Sequence, residues 1–244
     1  MNPAIQVKNV SQVFGTRTIF KDVSFDIQRG EVFVILGGSG CGKSTLLNQM
    51  IGLLPPTSGD ITVAGYSVKT QREDVRRTIG VMFQSGALFG SKTLLENVSM
   101  PLKIFTDLPV TACHEIALIK LGLVGLADAA YNLPAEISGG MLKRAAIARA
   151  LALDPPFLML DEPSAGLDPI TSAGLDKLIL SLREMLGTTC VVVTHELNSI
   201  MAIADRCAML DGKAKGLIAL GKPQDLKDNP PTPTVRAFFH RETM

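Results

Sequence analysis

Apolar and polar residues alternate along Ile5-Gln6-Val7-Lys8-Asn9-Val10, the period-two pattern of a half-buried antiparallel strand. Val23-Ser24-Phe25-Asp26-Ile27 alternates in the same way, and Gln28-Arg29-Gly30-Glu31 then reads as a turn. Three later runs are apolar without a break: Val32-Phe33-Val34-Ile35-Leu36, Phe157-Leu158-Met159-Leu160 and Cys190-Val191-Val192-Val193. A strand with no polar face belongs in a parallel sheet covered on both sides. Lys143–Leu153, rich in Ala, Leu and Arg, and Ile170–Leu186, with Leu175, Leu178, Ile179 and Leu182 at helical spacing, predict helices between such strands. Buried strands separated by helices predict an α/β core.

From about Ala87 to Leu133 the pattern changes. Strand signals are few, and Leu94–Leu102 and Thr111–Leu121 read as helices, so a helical piece is expected to interrupt the core. Asp211-Gly212 marks a turn between the short apolar runs Cys207–Leu210 and Leu217–Leu220. Beyond Gly221 the chain carries Pro223, Pro230, Pro231 and Pro233 and is expected to be extended, ending in the apolar piece Val235–Phe239. The expected division is a core of residues 1–86 and 154–222, a helical subdomain of 87–153 and a tail of 223–244. No internal repeat or long low-complexity tract is present.

Composition narrows the function. Hydrophobic residues make up 46% of the 244 and charged residues 19%, which is globular rather than disordered. Lys plus Arg number 24 and Asp plus Glu 23, a net charge of +1, so the basic excess of a general nucleic-acid binder is missing. Mean hydropathy is high at +0.27, yet the strongest apolar runs, Val32–Leu36 and Val191–Val193, are strand-sized, far short of the roughly 18 residues of a spanning helix. The opening Met1-Asn2-Pro3-Ala4-Ile5-Gln6 has no charged segment before an apolar one, so no secretory signal is expected. Cys41, Cys113, Cys190 and Cys207 lie far apart without a C-x-x-C pair, which argues against a disulfide framework or a zinc site and suits a reducing cytoplasm.

The chemistry begins at Gly37-Gly38-Ser39-Gly40-Cys41-Gly42-Lys43-Ser44, which fits G-x-x-x-x-G-K-[ST] between a buried strand and a helix. Glycines let the backbone turn its N–H groups inward against phosphate, and the following helix points its positive end at the same anion. Lys43 is expected to reach the β- and γ-phosphates, Ser44 to ligate Mg²⁺, and Thr45 to support the α-phosphate end. Cys41 reads as a small residue tolerated within the loop. Asp161 and Glu162 end an apolar strand at the sheet's carboxyl edge, where such folds bind ligands. Asp161 is placed to hold Mg²⁺ through water, and Glu162 to orient or deprotonate an attacking water. His195 follows another buried strand and is expected to bridge the γ-phosphate and Glu162. Ser138-Gly139-Gly140-Met141 opens a helix, Ser138 as its cap, and forms a second anion site in the chain. The expected fold is therefore an α/β P-loop NTPase core: a mostly parallel sheet with flanking helices and an N-terminal antiparallel β part, with an inserted helical subdomain.

This ordered set resembles the ATPase subunits of ABC transporters. Gly37–Ser44 matches the phosphate loop, Gln84 the Q-loop residue, Ser138–Met141 the signature, and Asp161-Glu162 the Walker B pair. Ser164-Ala165-Gly166-Leu167-Asp168 matches the D-loop, His195 the switch histidine, and Phe14 the aromatic that stacks on adenine. The resemblance covers about Ile5 to Gly221. It implies an ATPase in which two copies clamp ATP head to tail, the loop of one facing Ser138 and Gly140 of the other. Gln84 is implied to contact Mg²⁺ and the water and to transmit closure to a membrane partner.

A narrower resemblance joins Val81–Phe89, Met141 where most of the family carry Gln, and Asp168-Pro169-Ile170-Thr171 to ATPases of Mce-type lipid transporters, the Mla phospholipid system among them. It implies peripheral attachment to the cytoplasmic face of the inner membrane, with two transmembrane permease subunits, an Mce-domain protein and a small STAS-domain protein. In that subfamily the tail region, here Val235–Phe239 after its prolines, helps join the two ATPase copies. The alternative within the family is a polar-solute importer, such as for amino acids. A soluble ABC protein of DNA repair or translation is disfavoured by the absence of a heptad run between Gln84 and Ser138. A small-molecule kinase has no use for Ser138–Met141 or His195.

Overall fold

The structure, a computed structural model, describes residues 3–242. Met1 and Asn2 of the expected leaderless start, and Thr243 and Met244 of the expected tail, lie outside the described residues. Ten strands among the described residues form two sheets. The first is antiparallel: β1 (Ile5–Phe14) pairs with β2 (Arg17–Ile27) and with β4 (Ser58–Val63), and β5 (Tyr66–Ser67) lies at its edge. The second holds six strands in the order β10-β9-β3-β8-β7-β6, namely Gly216–Gly221, Arg206–Asp211, Val32–Gly37, Thr189–Val193, Phe157–Asp161 and Ile79–Met82. All pairings in it are parallel except that of β10 with β9.

Strand β3 sits near the middle of this sheet, and all six of its residues are buried. Its alternate side chains go to opposite cores, as the strand period requires. Val32, Val34 and Leu36 join a cluster with Leu158, Leu160, Cys190, Val192 and the helical residues around Val98 and Ile147. Phe33 and Ile35 join a second cluster with Phe157, Met159, Val191, Val193 and the inner face of the antiparallel sheet, including Ile5, Val7 and Phe25. The apolar runs of β3, β7 and β8 are thus explained: each strand feeds both cores.

Nine helices are present among the described residues: α1 (Lys43–Met50), α2 (Arg72–Thr78), α3 (Leu94–Phe105), α4 (Val110–Leu123), α5 (Gly139–Ala150), α6 (Pro169–Leu186), α7 (Leu197–Ile203), α8 (Pro223–Asp228) and α9 (Pro233–His240). The predicted helices recur with shifted ends. α3 extends past Pro101 to Phe105 and is opened by a capping box, in which Thr93 accepts from the Glu96 N–H and the Glu96 carboxylate accepts from the Thr93 N–H. α5 begins at Gly139, where Ser138 caps it as expected, accepting from the Met141 N–H at 3.3 Å.

The turn expected at Asp211-Gly212 is present between β9 and β10 as Gly212–Lys215, held by Asp211, whose carboxylate accepts from the N–H groups of Lys213 and Ala214. One prediction fails. The tail is not extended. Pro223 and Pro233 stand at the first positions of α8 and α9, where a missing N–H costs nothing and the fixed φ favours a helical start. Thr232 caps α9, and the helix lays Val235 and Phe239 into the core cluster of its own chain. Strand β6 escapes the sequence pattern because Gly80 interrupts it. A Cβ at Gly80 would stand 2.1 Å from the Ala150 carbonyl oxygen, so the glycine is there to admit the end of α5.

Because Phe239 is buried to 2% exposure and Ile170 is 86% exposed, Phe239→Ala is expected to lower unfolding stability by about 3 kcal/mol or more, and Ile170→Ala by less than about 0.5 kcal/mol. Urea denaturation checks this; equal effects would show that α9 does not pack on the core.

Candidate functional site

Five parallel strands bring their carboxyl ends to one edge, and the candidate residues follow from the ends of four of them, β3, β8, β7 and β6. Gly37 closes β3 with φ +147°, and a Cβ on it would lie 2.2 Å from the Leu210 carbonyl oxygen. Gly42 has φ +106°, and its Cβ would lie 2.7 Å from both Ile19 and Phe20. These two glycines are required by close approach, whereas Gly38 faces open space. The loop so formed leads into α1, whose N-terminus has no side-chain cap and leaves its N–H groups to an anion. Lys43 folds back over the loop, its Nζ donating to the carbonyls of Gly37 at 2.9 Å and Gly38 at 3.2 Å. Both are bonds that phosphate oxygens can replace.

Strand β7 ends in Asp161, and the Ser44 hydroxyl donates to its Oδ1 at 3.3 Å. Burial raises the pKa of the Asp161 carboxyl, and the neighbouring Glu162 charge adds to this; the Ser44 hydrogen bond and the charge of Lys43 oppose it. A hydroxyl and a carboxylate at this spacing are the hard oxygen donors that Mg²⁺ takes. No group of three or more His, Cys, Asp or Glu able to hold a metal occurs among the described residues. The donor set therefore suits an ion that completes its shell with phosphate and water, and it fits Mg²⁺.

Glu162 is largely buried and has φ +46°, a left-handed conformation unusual for a residue with a side chain. Its N–H donates to the Val193 carbonyl at 2.8 Å, which ties it to the end of β8. His195 lies just beyond that end. Its Nδ1 is 2.9 Å from Glu162 Oε1 and 3.0 Å from Oε2, so the imidazole sits against the Glu162 carboxylate, the protein half of the bridge expected of it.

One cavity of about 840 Å³ is lined by Phe14, the loop residues Gly37–Gly40 and Gly42–Thr45, Gln84, Glu162 and His195. Cys41 is the exception within the loop. It turns inward, and burial raises its thiol pKa, so it stays a small protonated filler. Ser138, Gly139, Gly140 and Asp168 do not line the cavity. They form a patch of their own at the starts of α5 and α6. Asp168 caps α6 by accepting from the N–H groups of Ile170 and Thr171 at 3.0 Å, and it also accepts from the Thr171 hydroxyl. A Cβ at Gly140 would touch Thr171 at 2.5 Å.

The structure adds residues that the sequence did not single out. Arg17 and Ile19 line the cavity from β2, brought beside Phe14 by the tight hairpin in which Phe14 pairs with Arg17. Phe238 of α9 lines it from the far end of the chain. Lys143 lies beneath it, its ammonium donating to the carbonyl of Gln84. Burial lowers the pKa of Lys143, while the charges of Glu162 and Asp161 raise it. The Gly15-Thr16 turn was a usable signal for Arg17; nothing local marks Phe238 or Lys143.

Comparison with known proteins agrees with this geometry. Residues 20–165 match the family described as ABC transporter. The intermembrane phospholipid transport system ATP-binding protein MlaF of Escherichia coli K12 is 42% identical over 239 residues, 96% of this chain and 88% of that one. The probable ribonucleotide transport ATP-binding protein mkl of Mycobacterium leprae is 41% identical over 244 residues, 98% of this chain and 70% of that one. Among solved structures, the dimeric bacterial ABC transporter cassette MJ0796 superposes with a TM-score of 0.80 at 33% identity, covering 90% of this chain and 98% of that chain. The same cassette in a dimeric post-hydrolysis state, bound to ADP and Pi, matches equally well.

Lys43→Ala is expected to weaken nucleotide binding by about ten- to hundredfold, the worth of charge-assisted hydrogen bonds to phosphate. Equilibrium binding of a fluorescent ATP analogue measures it; unchanged affinity would remove the loop from the site.

Proposed function

The chain belongs to the ABC transporter family as an ATP-hydrolysing subunit, and we propose that it powers movement of phospholipid between membranes of the cell envelope from the cytoplasmic face of the inner membrane. The observation that carries the lipid reading is the 42% identity with MlaF across 96% of the chain. Met141 and the segment Ser85–Phe89 support it further. Among the described residues no helix is long and apolar enough to cross a membrane. In this reading passage through the bilayer falls to partners: two transmembrane permease subunits, an Mce-domain protein and a small STAS-domain protein. The near-neutral charge leaves nucleic acid out.

In the proposed mechanism Phe14 stacks on adenine, and Lys43 exchanges the Gly37 and Gly38 carbonyls for the β- and γ-phosphates. Ser44, Asp161 and Gln84 are the residues that would hold Mg²⁺, which when bound neutralises charge on the phosphates. Glu162 accepts the proton of the attacking water at a carboxylate oxygen, and His195 keeps that carboxylate aimed at the reacting phosphate. The Ser138–Gly140 patch and Asp168 belong to the opposite site. A second copy, turned head to tail, brings them to the cavity of the first, so that each ATP is held by both chains. The dimeric form of the related cassette supports this pairing.

A second reading, the polar-solute importer, draws on the name of the mycobacterial relative, which is that of a ribonucleotide transport protein. Co-purification from the native membrane separates the two. Mce-type and permease chains with bound phospholipid are expected; a polar-solute permease in their place would overturn the lipid reading. Glu162→Gln is expected to bind ATP with unchanged affinity and to hydrolyse it about 10²-fold or more slowly. Wild-type turnover in a phosphate-release assay would remove Glu162 from the chemistry.

A further inference from the structure

A lysine is seldom buried without a partner that compensates its charge. Lys143, on the second turn of α5, is 7% exposed. Its ammonium donates to two main-chain carbonyls, that of Gln84 and, at 3.5 Å, that of Glu162. These residues stand at the ends of different strands, β6 and β7, and a single side chain reaches both. The same helix holds the loop after Gln84 twice more. Arg149 donates to the Gly86 carbonyl at 2.9 Å and the Ala87 carbonyl at 2.6 Å. Leu142 presses on Gly86 so closely that a Cβ there would lie 2.6 Å from Leu142 Cδ2. Helix α5 is therefore bonded and packed to the segment Gln84–Ala87, and its N-terminal end carries the Ser138–Gly140 patch.

We propose that Lys143 is a positioning residue for ATP hydrolysis, fixing the main chains of Gln84 and Glu162 to one ammonium so that both side chains converge on the reacting phosphate. The inference rests on the roles given to Glu162 and Gln84 above. Lys143 lies outside the cavity lining. Its loss misaligns the groups around the attacking water while leaving the phosphate loop intact. A displacement of α5 at its signature end reaches both residues through the same bonds.

The test is steady-state ATPase kinetics on the complex purified from its native membrane, with Lys143→Met, Lys143→Gln, Lys143→Arg and Glu162→Gln. Lys143→Met is expected to lower kcat about tenfold or more with KM for ATP changed by less than about twofold. Lys143→Arg and Lys143→Gln, which keep N–H donors, recover part of that loss. If Lys143→Met does not fold, the Gln variant carries the same test, with a smaller fall in kcat at constant KM. In the Glu162→Gln background, Lys143→Met costs less than it does alone, because one of the two groups it positions is already altered. A kcat within twofold of wild type for Lys143→Met, beside an inactive Glu162→Gln, overturns the inference alone. So does a loss shared between kcat and KM, accompanied by a lowered Tm and not relieved by Arg or Gln, which marks a purely structural role. Wild-type turnover by Glu162→Gln overturns the reading of the site itself.

Discussion

The double burial of β3 is the constraint on which the rest of the structure depends. Its residues feed two hydrophobic cores at once, so the strand cannot slip by one position without sending Phe33 and Ile35 to the wrong side. That fixes where Gly37 ends the strand, and with it where the phosphate loop turns under Leu210 and over Phe20. β7 and β8 are held in register with β3 by the same cores, so Asp161 pairs with Val193, Val193 pairs with Ile35, and the groups that follow each strand emerge side by side. The contact of His195 with Glu162 is a consequence of that register. The left-handed turn at Glu162 is tolerated because its N–H is anchored to the end of β8.

The same rigidity keeps the Ser138 patch apart from the phosphate loop of its own chain. The Ser138 patch opens α5, whose far end is packed onto Gly80, and α5 is bonded to the loop after Gln84. Asp168 is bound into the start of α6. Neither can swing into the cavity of its own chain without breaking these bonds. A second copy is the economical way to bring a helix N-terminus to the open side of the phosphates. On this account the nucleotide is what joins the pair, and its hydrolysis is what releases it.

Much of this was legible in the sequence, and for a physical reason. The phosphate loop, the Asp161-Glu162 pair and His195 are short segments at strand ends, and their chemistry is set by neighbours in sequence. The unbroken apolar runs of β3, β7 and β8 report a two-faced burial that few other arrangements require. What was not legible depends on contacts between distant segments. Lys143 looks like any charged residue of an amphipathic helix until α5 is seen to lie beneath Gln84 and Glu162. Phe238 reaches the cavity only because α9 folds back on its own core. The prolines of the tail argued for an extended path, yet two of them stand where a helix accepts proline without loss. Strand β6 was hidden by Gly80, a glycine explained only by the helix end that passes over it.

The pairing of two incomplete sites is tested most directly by the mass in solution of the Glu162→Gln chain, measured by light scattering with ATP, with ADP and with neither, alone and within its membrane complex. The account predicts twice the monomer mass with ATP only, or in the complex a nucleotide-dependent crosslink between the Ser138 patch of one copy and the phosphate loop of the other. A chain that binds ATP yet stays single in solution, and whose two copies never meet across nucleotide in the complex, would contradict it.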